Sequence, residues 1–431
     1  MITMAALLLT GLLTQKEVIE YWKHFASQLL ELYRSLHSEP ELSFEERSTA
    51  QKLSERLRNE GYEVIEGIAG TGLAGVMRNG SGPVVLVRTD LDALPVKEQT
   101  GAAFASTRTA VLNGQEVPVM HACGHDVHMS IWLGLAQLLV RNKDKWQGTV
   151  VFVGQPAEET GAGAKRMLDE GLYQKIPRPN YALALHVDPY LPSGTIGYTR
   201  GAAFANVNSV DIVLKGRGGH GAAPHKAVDP IVMAAALVQS LQTIVSREMN
   251  PTEPAVVTIG SIHGGTRYNI IPDEVKLQLT VRSYSAAARD RILNSIRRMA
   301  SAIATAYRAP ATPEVLVDAG NQLATPATVN DAALVDRIVA AWQKVLPKER
   351  VIERSPEMIG EDFGRFGEVT PPIPSFMFRL GTTAPEELKH LSEAGLEPAP
   401  LHSSYYLPDV ESAIPAGIEA MYIALTDLLK R

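Results

Sequence analysis

Residues 84–92 read Val-Val-Leu-Val-Arg-Thr-Asp-Leu-Asp, an unbroken apolar run that ends among charged side chains. The pattern recurs. Residues 150–159 read Val-Val-Phe-Val-Gly-Gln-Pro-Ala-Glu-Glu, and residues 181–186 read Tyr-Ala-Leu-Ala-Leu-His. Strands that are apolar at every position, not at alternate ones, are buried on both faces. Between these runs lie helical patterns over 127–140 and 162–170, the second closed by Gly171. Strands alternating with helices predict an α/β fold on a buried, mostly parallel sheet.

Working outward, Val18, Tyr21, Trp22, Phe25, Leu29, Leu32 and Leu36 recur at helical spacing over 17–36. Ser43 with Glu46 three residues on reads as a capping box that opens a second helix, closed by Gly61. Beyond 204 the texture changes. A strand over 208–215 is followed by a helix that Asp229 caps and Pro230 begins, running to Glu248. Strands over 256–262 and 275–281 and a helix over 286–307 complete a β-α-β-β-α order. This predicts a small α+β sandwich at 204–315, inserted into a larger discontinuous domain of 14–203 and 316–431. A helix over 331–346, a β run at 376–380 and a last helix from Ile414 return the chain to the first sheet.

Composition bounds the function. At 431 residues the chain exceeds what one core usually organises, so two domains are expected. A net charge of −6 gives no basic footprint and argues against nucleic acid as a partner. A single cysteine excludes an internal disulfide, which leaves Cys123 as packing, nucleophile or metal ligand. The apolar stretch from Met4 to Leu13 falls short of the ~20 residues that span a bilayer. It has no preceding Lys or Arg and no following A-x-A site, so a helical lead-in on a cytoplasmic chain is expected. A periplasmic or secreted protein is the alternative, if Met1–Leu13 is the remnant of a signal peptide.

Ligands of open α/β sheets gather beyond the carboxyl ends of the strands. Asp90 and Asp92, the run from His121 to Asp126, Glu158-Glu159 and His186 all fall there, which makes them one candidate site. Cys123-x-His125 would place a thiol and an imidazole on one side of an extended segment. With Glu159 and His186 they form a donor set suited to Zn, Co, Ni or Mn. Two adjacent carboxylates after a strand can divide labour, one binding metal while the other holds a water as general base. Plainer readings compete: a lone buried cysteine is more often inert core, and paired glutamates are more often a solvated surface. A cysteine hydrolase using Cys123 and His125 would leave Glu159 and His186 without purpose. A non-catalytic binding protein on the same fold is a further alternative.

The runs RTDLDALPV (88–96), HACGHDVHM (121–129), GQPAEE (154–159), ALHV (184–187), GRGGHGAAPH (216–225), TRYNIIPDEV (266–275), GEDF (360–363) and LHSSYY (401–406) follow in order. Together they resemble the metallopeptidase family that unites aminoacylases with glutamate carboxypeptidases, from about Leu32 onward. The branch they resemble is that of the amidohydrolases, which cleave N-acyl amino acids such as hippurate and indoleacetyl-amino acid conjugates. The resemblance implies a di-zinc-peptidase-like catalytic domain interrupted by a ferredoxin-like lid and dimerisation domain, and a homodimer formed through it. It implies two divalent metal ions (Zn, Mn, Co or Ni) on Cys123, His125, Glu159, His186 and His402, with Glu158 as base. His402 rests on the resemblance alone. The implied substrate is a small N-acyl amino acid, with short peptides, as for a carboxypeptidase or dipeptidase, the alternative.

Other branches carry His-x-Asp where this chain has Asp90-x-Asp92, so the first ligand of that pattern is missing and the Cys-x-His pair takes over. Asp90 and Asp92 are then groups that orient ligands. The resemblance makes His220, after Gly218-Gly219, a donor to the developing oxyanion that reaches across the dimer. It makes Asn269 and Arg282 anchors for a substrate carboxylate, although Arg282 reads equally as a strand-edge ion pair. His121, His225 and His263 are read as structural, and Glu361 and Asp362 are assigned no mechanism.

Overall fold

The computed structural model describes residues 4–319 and 324–430, and side chains from residue 15 onward. The question of a signal remnant at Met1–Leu13 therefore lies outside the described side chains. The chain divides into two units, one of Met1–Ala203, Val329–Ser355 and Asp362–Arg431, the other of Phe204–Thr328 and Pro356–Glu361.

The larger unit is built on an eight-stranded sheet. In chain order its strands are β1 (Glu63–Ile68), β2 (Gly72–Asn79), β3 (Val84–Asp90), β4 (Gly148–Gln155), β5 (Tyr181–Pro192), β6 (Ile196–Tyr198), β7 (Val351–Glu353) and β8 (Ser375–Thr383). In space the order is β1-β2-β4-β3-β5-β8-β6-β7. The central strands β4, β3, β5 and β8 pair in parallel. On the flanks β1–β2, β2–β4 and β8–β6 are antiparallel, so the sheet is mixed. Every residue of β4 is buried, as its continuous apolar run requires. β5 does not end at His186 but runs six residues further, to Pro192.

Around the sheet lie α1 (Met4–Ser38), α2 (Arg47–Asn59), α3 (His125–Arg141), α4 (Gly163–Asp169), α5 (Ala332–Val345) and α6 (Val410–Leu428). Leu29, Leu32 and Leu36 of α1, Trp132 and Leu135 of α3, Trp342 of α5 and Ile418 and Tyr422 of α6 join one core. The buried indoles of Trp132 and Trp342 donate to the carbonyls of Val87 and Ala420, so neither burial strands a polar atom. Truncating Trp132 to alanine would cost about 3–5 kcal/mol by transfer and cavity terms. The second helix begins at Arg47, not at a box capped by Ser43; Glu46 precedes it and makes no side-chain cap. Gly61 does close it, at φ +84.

The smaller unit is a four-stranded antiparallel sheet in the order Ala255–His263, Glu274–Ser283, Asn206–Lys215, Glu314–Val317. Helices Pro230–Thr243 and Ala286–Ala306 pack on it through Met233, Leu237, Ile292 and Ile296. Asp229 caps the first by accepting from the Ile231 amide. This unit extends past the expected limit of 315 because Glu314–Val317 pairs with the strand from Asn206 and Thr325 bonds Val207. It also takes in 356–361, where Glu357 bridges Phe204. Among the described residues no helix is long and apolar enough to cross a membrane.

Candidate active site

In the larger unit, β3, β4 and β5 carry polar residues to one region of the sheet. Cys123 lies in the turn before α3, and His125 is the first residue of that helix, so the pair does not share an extended segment. Gly124 between them is the reason. It takes φ +75, which glycine adopts freely, and a Cβ there would stand 2.7 Å from Val187 Cγ2. Cys123 Sγ comes to 3.6 Å from His186 Nε2 and 3.3 Å from His402 Nε2. Glu159 lies 3.8 Å from His125 Nε2 and 3.5 Å from His402 Nε2. Glu158 belongs to the same cluster: the potential ligand atoms of His125, Glu158 and Glu159 lie within 4.8 Å of one another.

The hydrogen bonds set the ring orientations. His125 Nδ1 donates to the Asp92 carbonyl and His186 Nδ1 to the Val187 carbonyl, each at 2.8 Å. A carbonyl only accepts, so in the neutral rings each Nε2 carries the lone pair. His125 Nε2 and Glu159 Oε1 are buried with no hydrogen-bond partner. Unpaired buried polar atoms are costly, and a cation between them removes the cost. The donors present, one thiol with imidazoles and a carboxylate, fit Zn, Co, Ni or Mn.

Charge is concentrated here. Burial pushes the Cys123 thiol well above its usual range, and the nearby Glu159 and Glu158 carboxylates add to this. Burial opposes protonation of His125, but Asp90, Asp92 and Glu159 hold its pKa up at about 10. Burial raises Glu159 to about 8, although His125 works against it. A cation bound among these groups would favour loss of their protons.

Asp92 and Asp90 brace this centre. Asp92 Oδ1 accepts from the Glu158 amide at 3.1 Å, and Oδ2 from the Glu159 amide at 3.0 Å. Ser43 Oγ, expected at a helix cap, donates instead to Asp92 Oδ2 at 2.7 Å. Asp90 accepts from His128 Nδ1 and from Arg88 Nη1, both at 2.7 Å. The Val187 amide donates to His128 Nε2, which engages that nitrogen and leaves His128 neutral; burial holds it down to about 4. Arg88 also reaches Gln155 and Asp362, and Asp362 accepts from Gln155 Nε2 and the Ala164 amide. Arg88 and His128 are not singled out from the sequence, and Asp362 is named there without a mechanism. The available signal was Arg88 itself, a cation in an apolar strand, which must have buried partners.

His220, Asn269 and Arg282 belong to the smaller unit. His220 is exposed on the two-residue strand Gly219–His220, and the Gly221 amide bonds the Asn269 carbonyl at 2.9 Å. The Ala222 amide donates to His220 Nδ1, so the neutral ring carries its proton on Nε2 as an outward donor. Arg282 Nη1 donates to the Met358 carbonyl at 2.7 Å, and no carboxylate pairs with it among the described residues. His121 is buried with neither ring nitrogen hydrogen-bonded, and burial holds it down to about 4.

Comparison with known proteins meets this geometry from another side. Residues 86–401 match the peptidase family M20/M25/M40. Over 364 residues the chain is 35% identical to thermostable carboxypeptidase 2 of Saccharolobus solfataricus, covering 84% of this chain and 87% of that one. Over 374 residues it is 35% identical to N-acetylcysteine deacetylase of Bacillus subtilis, covering 85% and 92%. A solved Bacillus subtilis structure, described as a dinuclear metal binding peptidase from the M20 family, aligns with a TM-score of 0.76 at 31% identity, covering 94% and 99%. The chain belongs to peptidase family M20/M25/M40 and is a metal-dependent amide hydrolase.

Proposed function

We propose that the protein hydrolyses N-acyl amino acids to the free acid and the amino acid. Cys123, His125, Glu159, His186 and His402 hold two divalent cations, and Glu158 is the base. The observation that carries this is the facing of His125 Nε2 and Glu159 Oε1, both buried without a hydrogen bond, beside a thiol and two further imidazoles. When bound, such cations acidify a water towards a pKa of ~7 and polarise the acyl carbonyl. Glu158, its amide fixed by Asp92, takes the proton from the attacking water and passes it to the departing amine. Across the homodimer that the resemblance implies, His220 Nε2–H donates to the carbonyl oxygen as charge develops there. Asn269 and Arg282 receive the α-carboxylate of the substrate.

The name of the deacetylase relative supports an N-acyl substrate. The equally similar carboxypeptidase supports short peptides as a second reading. Pairing of two protomers through the smaller unit is supported by its exposed Ile231, Val232 and Ile262. A thiolate ligand survives best in a reducing compartment, which favours the cytoplasm.

The test is chelation, restoration with Zn, Mn, Co or Ni, and a hydrolysis screen of N-acetyl-, N-benzoyl- and N-indoleacetyl-amino acids beside dipeptides. Activity should vanish with chelator and return with metal. Activity that survives chelation but not alkylation would assign the chemistry to Cys123 as nucleophile. No turnover of any substrate with metal restored would refute the proposal.

A further inference from the structure

Glu46, three residues after Ser43, lies under the turn that carries Glu158 and Glu159. It is 0% exposed, and Oε1 accepts from the Ala157 amide at 2.8 Å while Oε2 accepts from Thr71 Oγ1 at 2.5 Å. Ala157 takes φ +51, a left-handed conformation that a non-glycine residue adopts only when held there. The amides of Ala157, Glu158 and Glu159 thus all end on buried carboxylates, the first on Glu46 and the next two on Asp92. Successive amides arranged around a left-handed residue form a concave anion-binding nest. Here two side chains of the protein itself fill that role. They stand close enough that the charge of Asp92 adds to burial in pushing the Glu46 carboxyl up to about 7.

We propose that Glu46 is a positioning residue: by holding the Ala157 amide it keeps the turn wound so that Glu158 and Glu159 aim at the centre. The inference rests on the reading of Glu158 as base and Glu159 as ligand. Without the Glu46 carboxylate a buried amide loses its partner, and the left-handed residue loses its restraint. The turn can then relax by rotating the peptide just ahead of the two glutamates. The effect falls on alignment, not on substrate affinity.

The experiment compares Glu46→Ala and Glu46→Gln in the full chain. Metal-loaded enzyme is assayed on an N-acyl amino acid, and amide hydrogen exchange is followed on the metal-free protein. Glu46→Ala should lower kcat by ~10–100-fold with KM within about threefold, as for misplacement of a catalytic group by about 1 Å. Exchange at 157–159 should quicken while the helices stay protected. Glu46→Gln keeps an oxygen for the Ala157 amide and should restore both readouts. A kcat within about twofold of wild type, faster exchange spread over the whole unit, or no rescue by glutamine would overturn the proposal. Should Glu46→Ala fail to fold, Thr71→Val removes one of the bonds that hold Glu46. It should show the same local exchange with a smaller loss of kcat, and no change in either would overturn the proposal. Wild-type protein inactive on every amide would refute the functional reading instead, and the exchange measurement distinguishes the two failures.

Discussion

Raising the pH should dismantle a buried ion-pair triad that ties α1 to the start of α3. His37 on α1 is 1% exposed, with Nδ1 2.7 Å from Asp126 Oδ2 and Nε2 3.0 Å from Glu98 Oε1. Only the imidazolium can donate from both nitrogens at once. Burial disfavours that charge, yet Asp126 and Glu98 hold the ring up at about 9. Moving from 6.5 unfolded to about 9 folded, at about 1.4 kcal/mol per decade, amounts to ~3 kcal/mol of stability. The folded value is the higher one. The contribution is therefore complete below about 6.5 and is lost as the pH rises through about 9. His37→Gln keeps polar contacts without the charge. Urea unfolding of both proteins at about pH 6, 7.5 and 10 can be followed by tryptophan fluorescence, because Trp22, Trp132, Trp146 and Trp342 all lie in the larger unit. The stability gap should be ~3 kcal/mol at the lowest pH and fall below about 1 at the highest. A gap that is flat or widens with pH would refute the charged-triad reasoning.

Three further outcomes are expected. Arg88→Met strands the buried Asp90 and Asp362 carboxylates and should cost about 3–5 kcal/mol in the same unfolding assay; a loss under about 1 kcal/mol contradicts the network. Glu158→Gln should retain its metals by elemental analysis yet lose ~10²–10⁴-fold in kcat, and a near-wild-type rate ends its role as base. Metal uptake at neutral pH should displace protons from Cys123, His125 and Glu159, so calorimetry in two buffers of different ionisation enthalpy should report proton release and tighter binding at higher pH. Binding that is indifferent to buffer and pH speaks against these ligands.

The central strands were legible because burial on both faces writes itself as an unbroken apolar run. The antiparallel flanks were not, because pairing direction leaves no such mark in β1, β2 or β6. Ser43 and Glu46 show the limit of a local motif. Their spacing is that of a capping box, but Asp92, Thr71 and Ala157 claim the two side chains after the chain folds over them. The Cys123–His125 geometry was misjudged for want of one dihedral angle, that of Gly124. Partners distant in sequence were hidden altogether: His402 meets Cys123 across 279 residues, and Arg88 meets Asp362 across 274. A single histidine in a polar loop carries no periodicity that would mark it, and resemblance supplied what pattern could not.

Asp92 shows how the proposed ligand set is held. Both its carboxylate oxygens are engaged by the amides of Glu158 and Glu159, and its carbonyl orients His125, so this one residue fixes the proposed base and two of the proposed ligands together. Asp90 is likewise engaged, by Arg88 on one oxygen and His128 on the other. Asp92 Oδ2 already accepts from both Ser43 Oγ and the Glu159 amide, so a cation at that oxygen would have to displace one of them, and an unpaired buried donor costs about 1–3 kcal/mol. On the proposed reading the two aspartates act through the groups they hold. Cys123 Sγ lies in direct reach of both His186 and His402 and can become an anion. Burial and the nearby carboxylates keep it protonated in the absence of a cation, and a bound divalent ion would favour the thiolate. In the proposed set the thiol, like His125 and Glu159, gives up its proton as metal binds, while the aspartates supply rigidity.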